Sequence, residues 1–140
     1  MKFSTRSSYG LRAIIHLAKN YGLPRRGKAG EKPLSLAKIA QAEKISQAYL
    51  ERLFAKLKKA NLVVSSKGMA GGYQLAKHPS KIAIFDVIEA LEGSISVFRC
   101  LDNQGRIFCG MKSCPSVKVY QKVQKAIVDS LKSMTLEDLV

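Results

Sequence analysis

The stretch SLAKIAQAEKISQAYLERLFAKLKKANLVVSSKGMAGGYQLA, residues 35–76, decides the fold. Ser35 is placed to cap a short apolar-periodic run through Leu36, Ile39 and Ala40 that stops near Lys44. Ile45 then bridges to Ser46, a second cap, which opens a longer helix over 46–60 with Tyr49, Leu50, Leu53, Phe54, Leu57 and Ala60 at helical spacing. Two helices separated by about two residues make a tight turn. Residues 62–65 and 73–76 read as short strands around Gly68, Gly71 and Gly72, a β-hairpin with a glycine-rich tip. Helix, tight turn, helix and hairpin, in that order, are the plan of a winged helix-turn-helix.

Outward from this centre the chain is mostly helical. Upstream, Leu11, Ile14, Ile15, Leu17 and Ala18 make residues 8–21 an amphipathic helix, followed by the breaker-rich, basic loop LPRRGKAGEKP at 23–33. Downstream, 81–84 reads as extended, and 85–91 as a short helix stopped by Gly93. Residues 100–115 show no periodicity and read as a loop. The last element, 116–132, has a broad apolar face of Val117, Tyr120, Val123, Gln124, Ile127, Val128 and Leu131. The expected class is mainly α with a small β-hairpin wing. The chain divides into a winged helix-turn-helix over 1–81, a linking helix over 82–99, a cysteine loop over 100–115 and a last helix and tail over 116–140.

Charge follows the same division. The 140 residues carry a net charge of +14. Residues 1–81 hold seventeen Lys and Arg against Glu31, Glu43 and Glu51, whereas 82–140 hold seven of each sign. A basic excess confined to one portion points to a polyanion partner, nucleic acid before membrane. No apolar run approaches the roughly 18 to 20 residues of a membrane span, and no signal-peptide core stands at the start, so a soluble, cytoplasmic protein is expected. Nothing suggests an enzyme: there is no nucleophile–base pairing, phosphate loop or carboxylate pair, and only two His are present.

A winged helix-turn-helix lays its second helix in the major groove, with the first residues of that helix facing base edges. Here those are Gln47, Ala48, Glu51 and Arg52. Gln and Arg match the edges of A and G bidentately, and Glu accepts from the cytosine amino group. Ser46 offers a cap and a helix N-terminus suited to a phosphate. Lys67 and the glycines up to Gly71 and Gly72 let main chain and one ammonium approach the backbone of double-stranded DNA. The competing reading is a solvated helix face and an ordinary hairpin turn.

Cys100, Cys109 and Cys114 lie within 15 residues of one another, and they are the chain's whole complement. An odd set in a reducing compartment is not a disulfide framework. A soft thiolate trio in a glycine-containing loop suits an iron-sulfur cluster ahead of zinc or direct thiol redox sensing. His16, His78, Asp102 or a residue of a second subunit are the candidates for a fourth ligand.

The opening MKFSTRSSYGLRAIIHLA, the stretch ISQAYLERLFAKLKKANLV, the wing SSKGMAGGYQLA, the segment DVIEALEG and the ending SLKSMTLEDLV resemble the Rrf-type transcriptional regulators, in particular their iron-sulfur cluster regulator (IscR)-like members. The resemblance covers nearly the whole chain. It implies a homodimeric repressor or activator that binds a pseudopalindromic operator, with the long last helix serving dimerisation and operator binding modulated by a cluster on Cys100, Cys109 and Cys114, 2Fe-2S before 4Fe-4S. By position it places Ala48, Glu51 and Arg52 at reading positions, Lys67 at the basic position of the wing, and Tyr9 with residues 4–8 against the phosphate backbone. The cysteine spacing, eight residues and then four, departs from the even spacing usual in cluster-binding relatives. The positions where such relatives carry a histidine or an acidic fourth ligand hold Val117 and Ser8 here.

Overall fold

The computed structural model describes residues 2–20, 33–67, 71–110 and 113–140. Helix α1 (Thr5–Lys19) is followed by α2 (Leu36–Glu43), α3 (Gln47–Lys59), strands β1 (Val63–Ser66) and β2 (Gly72–Leu75), α4 (Ile84–Glu92) and α5 (Val117–Lys132), with 3-10 turns at Pro79–Lys81 and Leu136–Leu139. The basic loop expected at 23–33 lies almost wholly outside the described residues, as does Gly68 at the wing tip.

The helix-turn-helix forms for local reasons. The Ser35 hydroxyl accepts from the Lys38 amide at 3.3 Å, and that of Ser46 from the Tyr49 amide at 3.4 Å, so both helices start on a side-chain cap. Lys44 ends α2 in the left-handed region at φ 54°, which reverses the chain within two residues, and buried Ile45 pins the turn to the core. Leu50, Leu53, Phe54 and Leu57 recur on one face of α3 and are all buried. They join Ile14, Leu17, Ile39, Leu62, Ile82, Val87, Ile88 and Leu91 in one hydrophobic core.

β1 and β2 pair antiparallel with Val63 opposite Leu75 and Ser66 opposite Gly72. The free edge of β2 is partly occupied, because Leu34 and Tyr73 exchange backbone hydrogen bonds of 3.0 and 2.8 Å. This gives Gly72 a reason that the sequence reading did not contain. A β-carbon there would overlap the backbone of Leu34 and Ser35, so glycine is needed for close approach and not only for a turn. Gly10 has the same role between helices, where a β-carbon would lie 2.5 Å from Leu91 Cδ1 on α4.

The chain departs from the sequence reading at three further places. α1 begins at Thr5, earlier than residue 8, because Ser4 is tethered to α4 as described below. Only Ala83 of the expected 81–84 strand makes a bridge, pairing with Thr135, and Ile84 already starts α4. That bridge returns residues 135–139 to the helix-turn-helix half of the chain, with Leu136 fully buried in its core. Finally, 100–115 is not featureless. Leu101 and Ile107 form a bridge around a turn with Gly105 at φ 77°, Leu101 is buried, and Phe98 stacks on Tyr120 of α5 at 4.2 Å. Among the described residues no helix is long and apolar enough to cross a membrane.

Candidate nucleic-acid interface and cysteine loop

α3 has one face in the core and the other in solvent. Gln47, Ala48, Glu51 and Arg52 are exposed. Among the described residues, the side chains of Gln47, Glu51 and Arg52 form no hydrogen bond or ion pair, whereas Arg6, Arg12 and Arg106 pair with Glu92, Glu43 and Asp102. Beside the start of α3 stands an aromatic and cationic rim. Tyr9, an exposed residue of α1, meets the Tyr49 ring edge-on at 6.0 Å, and the Arg12 guanidinium lies 5.8 Å from the Tyr9 centroid. Lys67 is exposed at the end of β1, and Gly71 is half-buried just before β2. The lysines at the far end of α3 are partly structural. Lys56 donates to the Leu91 carbonyl at 3.4 Å, and Lys58 to the Ser65 hydroxyl at 2.7 Å.

The helix-turn-helix is braced by two carboxylates whose roles the sequence did not disclose. Glu92, the last residue of α4, accepts from the Ser4 amide at 2.8 Å, from the Ser4 hydroxyl at 2.7 Å and from the buried Ser7 hydroxyl at 2.5 Å, with Arg6 at 3.5 Å. Burial pushes its pKa up, but the hydrogen bonds from Ser7 and Ser4 and the Arg6 charge outweigh this and hold the carboxyl below its ordinary range. Glu43 likewise resists burial, and contacts to His16 at 3.0 Å and Arg12 at 3.2 Å keep its pKa lowered. Together they fasten α1 to α4 and to α2, the helix before the turn.

The cysteine loop is ordered by Asp102. Its Oδ1 accepts from the amides of Gln104 at 2.9 Å and Arg106 at 2.8 Å, and Oδ2 accepts from Arg106 Nε at 2.7 Å. The Arg106 amide is the leading cause that lowers its pKa. Asn103 reaches back to Glu89 of α4 and to the Ile95 amide. Buried Gln124 of α5 accepts from the Val97 amide at 3.0 Å and donates to the Ile95 carbonyl at 3.3 Å, tying α5 to this segment. Cys100, Cys109 and Cys114 are free thiols, each half-buried. Among the described residues no three His, Cys, Asp or Glu side chains converge on a metal-sized site. The candidates for a fourth ligand are engaged elsewhere: His16 with Glu43, His78 with Ser80, Asp102 with its own turn. The trio therefore fits an iron-sulfur cluster in donor chemistry, three accessible thiols on one loop, and not as a preformed cage.

The fold and the exposed, unpaired face of α3 define a winged-helix DNA-binding regulator. A family described as "Rrf2: Iron-dependent Transcriptional regulator" matches residues 3–140, and the chain belongs to it. It is 38% identical to the HTH-type transcriptional regulator CymR of Bacillus subtilis over 99% of this chain and 89% of that one. It is 34% identical to the HTH-type transcriptional regulator IscR of Pectobacterium atrosepticum, over 100% and 79%. The solved structure of the B. subtilis protein, described as the global cysteine regulator, superimposes with a TM-score of 0.77 at 36% identity, covering 99% and 95%. That of T. potens IscR gives 0.76 at 37% identity, covering 99% and 85%. The family consists of transcriptional regulators, not enzymes.

Proposed function

We propose that this chain acts as a homodimer on a pseudopalindromic operator of double-stranded DNA, with α3 in the major groove and the hairpin as its wing. The observation that carries the reading is the contrast on α3: a face of A-, G- and C-matching side chains that the chain leaves unpaired, on a helix whose other face is fixed in the core. Gln47, Glu51 and Arg52 read bases, Ala48 leaves room for their approach, and Ser46, Tyr9, Lys67, Gly71 and Gly72 border the phosphates. α5 supplies the dimer contact. Gln124 alone among its residues is fully buried, Ile127, Val128 and Leu131 pack against the chain's own core, and Val119, 60% exposed, marks the face left for a partner.

Regulation is assigned to the loop between α4 and α5. Cys100, Cys109 and Cys114 would hold an iron-sulfur cluster, which when bound supplies sensitivity to iron and oxidants. The family description, iron-dependent, supports this reading. The loop is bound to α4 through Asn103 and to α5 through the segment held by Gln124, so ordering it biases the placement of α5 against the reading head. A second reading, a cluster-free thiol or metal sensor, is favoured by the three free thiols that do not converge. Anaerobic purification with iron and sulfide quantitation separates the two. Acid-labile sulfide matched to iron, lost in the triple Cys→Ala variant together with a change in operator affinity, supports the cluster. Iron-free protein whose DNA affinity responds to peroxide supports the second reading, and identical footprints for the wild type and the triple variant under all conditions defeat both.

A further inference from the structure

An open cleft of about 590 Å³, with exposed Lys132 among its lining residues, lies between α4 and α5 beside the 103–105 turn. Its size is that of small-ligand sites, roughly 300 to 1,000 Å³. Phe85 and Glu89, one turn apart on α4, form one wall, and Lys125, Val128 and Lys132, along one face of α5, form the other. The neutral amides around it are largely engaged. Gln124 has both ends bonded to the 95–97 segment, and Gln121 donates to the Gly105 carbonyl at 3.0 Å. Among the charges, Lys125 is paired with Asp129. Lys132 has no carboxylate partner among the described residues, and its ammonium is held 4.8 Å from the centroid of the Phe85 ring. Glu89 receives one bond, from Asn103 at 3.1 Å through Oε1, and its second oxygen has no hydrogen-bond partner among the described residues.

The cleft thus presents one available cation and one available carboxylate on facing helices, with the aromatic Phe85 and the aliphatic Val128 also in its lining. We infer that it is a site for a small zwitterion of the α-amino-acid class, the ligand's ammonium meeting Glu89 and its carboxylate meeting Lys132. A simple anion would answer only Lys132 and a simple amine only Glu89. The site is separate from the cysteine thiols. It also sits where occupancy matters mechanically, since α4 packs on α1 and α3 while α5 packs on α4.

The test is calorimetric titration of the full chain with each of the common L-α-amino acids in turn, without DNA, so that its outcome is independent of the operator reading. At least one is expected to bind at a single site per chain. Lys132→Met, which keeps the aliphatic stem, and Glu89→Gln, which keeps an acceptor for Asn103, should each weaken it about tenfold or more, the loss of one charge-assisted hydrogen bond. Lys132→Arg should retain binding, and the matching carboxylic acid and amine, each lacking the other group, should bind no better than the variants do. Circular dichroism confirms that the variants are folded. Absence of binding by every amino acid, or binding undiminished in both folded variants, overturns the inference.

Discussion

The outer face of α3 and the turn at 102–106 are both exposed, polar and charged, yet they are built in opposite ways. In the turn, Asp102 takes two backbone amides and the Arg106 guanidinium, and Arg106 also reaches the Gln104 amide oxygen. On α3 the same kinds of side chain, Glu51, Arg52 and Gln47, are exposed and make no hydrogen bond or ion pair among the described residues. Polar groups that satisfy one another hold a shape, and groups left unsatisfied on a rigid element are available to a partner. The difference separates a structural acid–arginine pair from the proposed reading surface, although composition makes them look alike.

That comparison is most severely tested at Glu92, a third arrangement in which polar groups satisfy one another at the edge of the core. Glu92→Ala removes four hydrogen bonds, one of them the Arg6 ion pair, and strands the buried Ser7 hydroxyl, and should destabilise the fold by about 2 to 4 kcal/mol in urea unfolding. Arg52→Ala should behave in the reverse way. It leaves stability within about 0.5 kcal/mol but costs about 1 to 3 kcal/mol in operator binding, concentrated at one base pair. A uniform loss across sequences would move Arg52 from base readout to phosphate contact. Lys67→Ala is expected to show that uniform loss and to reduce the salt slope of binding by about 1.

A smaller effect follows from pH. Glu43 and Glu92 both have folded pKa values below the ordinary 4.5. Their contribution to stability is therefore complete above that value and disappears as pH falls through the lower folded values. Urea midpoints measured from about pH 6 down to about pH 3 should decline on the acid side, and Glu92→Gln should flatten the decline. Stability of the wild type that is constant through this range would show that these carboxylates are no better placed in the fold than in the unfolded chain.

The helix-turn-helix was legible because each of its boundaries is written locally, in Ser35, Ser46 and the spacing of Leu50, Leu53, Phe54 and Leu57. The exposure of Gln47, Glu51 and Arg52 was legible from the same spacing. Their lack of partners was not, since it depends on where every other carboxylate and guanidinium goes. The turn at 101–107 escaped notice because side-chain-to-backbone bonds from one aspartate hold it and leave no periodic trace. Gln124 was read as part of an apolar face. Its position was right, but its partners are the backbone groups of Ile95 and Val97, 29 and 27 residues away. Gly72 was read as part of a turn that lets the main chain approach DNA, whereas its missing β-carbon accommodates the backbone of Leu34, a contact no local pattern announces.

The anchoring of Leu34 also bears on how such a chain can vary over evolutionary time. α1 is closed at its end by Asn20, whose side chain caps the His16 carbonyl at 2.8 Å, and the chain is caught again at Leu34 by Tyr73. Each anchor is a hydrogen-bonded contact of its own, and the one at Leu34 stands a single residue before the Ser35 cap of α2. A residue inserted between Leu34 and Ser35 would shift α2 against the hairpin, so changes of length should be rare at that point.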